Sequence, residues 1–175
     1  MLSAKCLVTA YLIYVHEIPQ DALQVDDVRM IAMKKLPSPI HFKLTVTGGL
    51  ENIPEIVDFI AESVQSLGLS EDVGFDSTLA VEEACTNIIK YAYDVPEQAW
   101  LNLGITVTDS KLVITIRDNG RPFDYDSVPA PNLTANLKDR KPGGMGVYFI
   151  RQVMDEMRYE HKNGIGMLTL TKKLN

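Results

Sequence analysis

LAVEEACTNIIKYAY, from Leu79 to Tyr93, contains neither Gly nor Pro and is dense in apolar residues. Asp76 or Ser77 just upstream can cap a free amide at a helix start, so the stretch reads as one helix. At about 3.6 residues per turn, Val81, Ala84, Cys85, Ile88 and Ala92 gather on one face and Glu82, Thr86 and Lys90 on the opposite one. Glu83 and Asn87 fall between them, stacked one turn apart at the border of the apolar face. Two readings of that pair stand at this point. Spacing alone favours two solvated polar residues; the other reading is a carboxylate and a carboxamide aimed together at the edge of a core. The rest of the chain decides between them.

A length of 175 residues suits one domain, or a domain with an extension. Hydrophobic content of 46% and charged content of 23% are those of an ordinary globular protein. A net charge of -6, without a cluster of Lys and Arg, argues against a general nucleic-acid binder. Cys6 and Cys85 form no disulfide or zinc pattern, which fits a reducing compartment. The apolar run Leu7 to Val15 is far shorter than the ~20 residues of a membrane span. It lacks a clear signal-peptide cleavage site as well. A cytoplasmic protein is expected, with no membrane or direct nucleic-acid partner.

Residues 1–39 read as an N-terminal extension: an apolar run, an acidic patch at Asp21, Asp26 and Asp27, and the Pro37-Ser38-Pro39 break. From His41, Phe42, Leu44 and Val46 alternate with Lys43, Thr45 and Thr47, as in a half-buried strand. Ile53, Ile56, Val57, Ile60, Ala61 and Val64 then recur at helical spacing, with Pro54 in the first turn and Gly68 as a stop. Trp100 to Thr108 and Lys111 to Asp118 are two strands joined by a tight turn. Asp118 stands at the end of the second, where side chains commonly meet ligands.

After Asp118-Asn119-Gly120 a long aperiodic stretch runs to Gly143 and carries Lys138, Arg140 and Lys141, the densest basic group in the chain. A loop longer than ~12 to 15 residues in a compact domain is usually functional or disordered. It is either a solvated surface loop or a lid, Pro129 to Lys141, that brings positive charge over a polyanion. Gly143-Gly144-Met145-Gly146 opens another helix, with Val147, Phe149, Ile150, Val153, Met154 and Met157 on its buried side. Free amides at such a glycine-rich start favour phosphate. Tyr159 to His161 and Ile165 to Leu174 close the chain as a hairpin around Asn163-Gly164.

Each element is a weak signal singly. In order along the chain, Glu83 with Asn87, Asp118-x-Gly120 and Gly144-x-Gly146 resemble the conserved boxes of the Bergerat-fold ATPases, the group of gyrase, histidine kinases and MutL proteins. Within that group EEACTNIIKYAY, IRDNGRPFD and GGMGVYFIRQVMDEM look most like the anti-sigma-factor serine-protein kinases, over residues 41–174. The resemblance implies an α+β fold at residues 40–175, a two-layer sandwich with a mixed, mostly antiparallel sheet and helices on one face. It implies ATP and Mg²⁺ as cofactors, with Asn87 on the metal, Asp118 accepting from the adenine amino group and Gly120 letting the base lie close. Gly143, Gly144, Met145, Gly146 and Val147 would line the phosphates, and Thr169 would reach the adenine through water. Glu83 would be the general base, and Arg140 or Lys141 the lid cation. The implied partners are a STAS-type anti-anti-sigma protein and a sigma factor, and the implied assembly is a homodimer.

The competing function is a nucleotide-binding regulatory module without phosphotransfer, against which Glu83 speaks. A sensor histidine kinase would need a dimerising helix with a phosphoacceptor histidine ahead of the domain. A gyrase or MutL type ATPase would need a transducer domain after the last strand.

Overall fold

The structure, a computed structural model, describes residues 39–129, 131 and 145–174. The extension assigned to residues 1–39 lies outside the described residues except for Pro39. So do Lys138, Arg140 and Lys141 of the expected lid, together with Gly143 and Gly144.

The chain runs β1 (Ile40–Thr47), α1 (Ile53–Ser66), α2 (Glu71–Tyr91), β2 (Trp100–Val107), β3 (Lys111–Asp118), α3 (Met145–Val153), β4 (Glu156–Lys162) and β5 (Ile165–Lys173). Short 3₁₀ turns precede α1 and β2. The five strands form one sheet in the order β1-β2-β3-β5-β4, and all four pairings are antiparallel. Period-2 alternation sends Leu101, Leu103, Ile105, Leu112, Ile114, Ile116, Leu168 and Leu170 to one face, where all are buried. That face is covered by the apolar sides of the helices, α1 beside α2 and α2 beside α3. The result is the expected α+β two-layer sandwich. Asn163 and Gly164, both at positive φ, turn β4 into β5 as a two-residue hairpin loop.

α2 differs from its expected start. It begins two turns earlier, capped by Ser70, whose hydroxyl accepts the Val73 amide at 3.4 Å. Such a cap is typically worth about 1 kcal/mol, enough to offset the similar cost of Gly74 inside the first turns. Asp76 therefore does not cap; it pairs with Lys172 at 2.6 Å. Ser77 is a buried mid-helix residue whose hydroxyl has no partner among the described residues. In α1 the buried stripe is Ile56, Phe59, Ile60, Ser63 and Val64, and Ala61 lies outside it.

α3 is also shorter than its apolar pattern. Lys172 donates to the Val153 carbonyl at 2.7 Å, and the Asp155 amide bonds to Thr171 in β5 at 2.9 Å. The chain thus leaves the helix to join the sheet. Met157 belongs to β4, and Phe149 is 37% exposed rather than buried.

Candidate active site

Helix α2 places its expected faces as read except at Thr86, which is half-buried. Val81, Ala84, Cys85, Ile88 and Ala92 are buried, Glu82 and Lys90 are exposed, and Glu83 and Asn87 are half-buried between them. Burial pushes the Cys85 thiol far above its usual range, with the Asp118 charge adding to the effect, so Cys85 is a small inert core residue.

Glu83 and Asn87 meet the start of α3. A Cβ added to Gly146 would run into Glu83 Oε2 and come within 2.9 Å of Asn87 Nδ2. The first turn of α3 can lie against both side chains because residue 146 has none. Gly146→Ala carries two opposed effects. Alanine favours a helix over glycine by about 1 kcal/mol, yet here it must displace Glu83. A displacement of about 1 Å can cost on the order of 10²-fold in rate. The expected result is a rate of any reaction that depends on Glu83 lower by roughly 10- to 100-fold without a fall in melting temperature. A parental rate would show that the contact does not set the position of Glu83.

Asp118 ends β3 and lines one pocket together with Asn87. It is 2% exposed, and its Oδ1 accepts the Gly120 amide at 2.8 Å. One amide does not compensate for lost water, so burial raises its pKa; the Gly120 bond and the nearby His161 pull in the other direction. That shallow pocket, partly open to solvent, is lined by Asn87, Ile88, Tyr91, Ala92, Asp118, Arg121, Phe123, Tyr125 and Tyr159. Gly120 is required by packing: a Cβ there would lie 2.6 Å from the Ala92 Cβ and 2.9 Å from its carbonyl oxygen. The next amide, Arg121, donates to that carbonyl at 2.8 Å. Gly120 thereby seats the Asp118 turn against the end of α2.

The Tyr93 hydroxyl ties this corner together. It accepts the amides of Trp100 and Asn119, each at 3.2 Å, and lies 2.7 Å from Asn119 Oδ1, to which it can donate.

Thr169 does not reach the pocket. It pairs with Thr115 on β3, three positions from Asp118 and on the opposite face of the sheet, since alternate strand residues point opposite ways. The β5 residue beside Asp118 is Gly166. Met145 and Val147 flank Gly146 at the start of α3, with Val147 buried.

Sequence reasoning missed the aromatic wall. Phe123 and Tyr125 meet edge to face at 4.6 Å, and Tyr125 and Tyr159 lie 5.1 Å apart. The alternation Met157, Tyr159, His161 along β4 was the available signal for Tyr159. Nothing comparable marked Tyr125, which lies outside helix and strand.

A buried carboxylate at a strand end, an Asn and a Glu one helical turn apart, and a helix that begins Met145-Gly146 beside them are the arrangement expected from the motifs of a nucleotide-binding ATPase domain. The chain belongs to the histidine kinase-like ATPase domain family, whose model matches residues 46–172. Within the family it stands with the anti-sigma-factor serine-protein kinases anticipated from its motifs. It is 28% identical to the serine-protein kinase RsbW of Halalkalibacterium halodurans over 144 residues, 80% of this chain and 87% of that one. It is 34% identical to RsbW of Staphylococcus epidermidis over 113 residues, 61% and 71% of the two chains. The serine/threonine-protein kinase BtrW of Bordetella bronchiseptica is 33% identical over 97 residues, 55% and 68%. A similar fold occurs within the crystal structure of the RsbU and RsbW domains of Rv1364c from Mycobacterium tuberculosis, with a TM-score of 0.53 and 15% identity over 75% of this chain and 32% of that one. By that kinship the chain is a protein serine/threonine kinase that uses ATP. No described helix is long and apolar enough to cross a membrane.

Proposed function

We propose that this kinase works in a partner-switching pathway in the cytoplasm. It phosphorylates a serine or threonine of a STAS-type anti-anti-sigma protein, and it holds a sigma factor when that partner is phosphorylated. It acts as a homodimer and needs Mg²⁺. The observation that carries the reading is the convergence of Glu83 and Asn87 on Gly146 at the start of α3, with Asn87 also lining the pocket that holds the buried Asp118.

Asn87 fits a Mg²⁺ site chemically. Its carboxamide carries a hard oxygen, the side chain lines the pocket with Asp118, and Mg²⁺ is commonly held by few protein ligands plus phosphates and waters. When bound, the ion neutralises and polarises the triphosphate. Asp118 accepts the adenine amino group through Oδ2, since Oδ1 already takes the Gly120 amide. The start of α3 presents free amides to the phosphates. Glu83 accepts the proton of the attacking hydroxyl as the new O–P bond forms and the bond from the γ-phosphorus to the bridging oxygen breaks, leaving ADP with that electron pair. Arg140 or Lys141, outside the described residues, would supply the lid cation, and Gly143 and Gly144 would extend the phosphate contacts.

Asn87→Ala tests the metal assignment. It should lose metal-dependent ATP binding, seen by calorimetry with and without Mg²⁺, and with it phosphotransfer to the partner. Undiminished Mg·ATP binding would remove Asn87 from the site. A parent protein that binds Mg·ATP and transfers phosphate to no cognate STAS partner would leave the nucleotide-binding regulatory module in place of the kinase.

A further inference from the structure

Gly166 occupies a row that crosses three strands, between Asp118 on β3 and His161 on β4. A Cβ at Gly166 would sit 2.7 Å from Asp118 Oδ2 and 2.8 Å from the Tyr159 hydroxyl oxygen. The two oxygens therefore converge on one small open spot at the pocket, and both residues line it. Their hydrogen-bond states are complementary. Asp118 spends Oδ1 on the Gly120 amide, which leaves Oδ2 an acceptor. The Tyr159 oxygen accepts the Phe123 amide at 3.4 Å, and its own proton is given to no acceptor among the described residues. Contact with Tyr125 holds the ring in place.

We propose that Tyr159 reads the base together with Asp118, donating to the ring nitrogen beside the amino group that Asp118 accepts. This rests on the nucleotide-site reading above. An adjacent acceptor and donor match adenine, whose amino donor is flanked by ring-nitrogen acceptors; guanine sets a carbonyl oxygen in the amino position. Gly166 is the residue that keeps the spot open. Any side chain there would force the two oxygens apart, and neither has room to give: Asp118 is buried, and the Tyr159 oxygen is the end of a rigid ring.

Tyr159→Phe keeps the ring and removes the donor. The test is calorimetric binding of Mg·ATP, 7-deaza-ATP and 1-deaza-ATP to parent and variant. The parent should bind one of the two deaza analogues more weakly than ATP. Tyr159→Phe should bind ATP roughly 5- to 10-fold more weakly and no longer distinguish ATP from that analogue. Gly166→Ala should weaken ATP in the same direction. Parental affinity in Tyr159→Phe, or an equal loss for ATP and both analogues, would overturn the proposal, the second outcome marking a merely structural tyrosine. A parent that binds no ATP would instead overturn the nucleotide site itself.

Discussion

Glu83→Gln is expected to leave Mg·ATP binding intact and to slow phosphotransfer to a partner serine or threonine by roughly 10² to 10⁴, the range of general acid-base catalysis. Glutamine keeps the length of the side chain and its half-buried place against Gly146, so the packing of α3 on α2 is retained. It cannot take up a proton. Single-turnover transfer at saturating ATP is the measurement, because it separates the chemical step from affinity. Transfer at the parental rate would show that another group, or water, accepts the hydroxyl proton.

Asp118→Asn should weaken ATP binding by on the order of 10²-fold or more. The reason is donor and acceptor polarity, since size hardly changes. Oδ1 must still accept the Gly120 amide, so the asparagine turns its amino group toward the place of Oδ2. A buried donor then faces the adenine amino donor, and each polar group left unsatisfied costs about 1–3 kcal/mol. Calorimetry, with circular dichroism to verify the fold, reads the loss; parental affinity would remove Asp118 from base recognition.

The same carboxylate predicts a pH dependence. Burial raises its pKa above the ordinary 3.8, so acid should protonate Oδ2 and weaken ATP binding at a higher pH than a solvated aspartate would. In the nucleotide-free protein the sign is opposite. A folded pKa above the unfolded one contributes stability that is fully present below the unfolded value and is lost as pH rises through the folded value. Affinity and apo stability at this residue should therefore move in opposite directions with pH, and neither slope should survive in Asp118→Asn.

What could be read in the sequence was what periodicity carries. β3 was legible from end to end, because its alternation is regular and Asp118 terminates it. The border position of Glu83 and Asn87 followed from the helical repeat alone. The start of α2 was not legible, because Gly74 and the polar run from Ser70 to Asp72 look like a connector until Ser70 is seen to cap. Thr169 was misplaced because a strand's face depends on register, which a single strand does not reveal. Tyr125 and Gly166 were missed for another reason: one lies outside helix and strand, and the other matters through what it lacks.

The Tyr93 hydroxyl has a mechanical consequence. It joins the chain just past α2, which carries Glu83 and Asn87, to the start of β2 and to Asn119, the neighbour of Asp118. Sliding the helix away from the strand would strip two main-chain amides of their acceptor at once. The span between the end of the helix that carries Glu83 and Asn87 and the strand end that carries Asp118 is thus gauged by the fixed length of a phenol ring, whatever the connecting loops do.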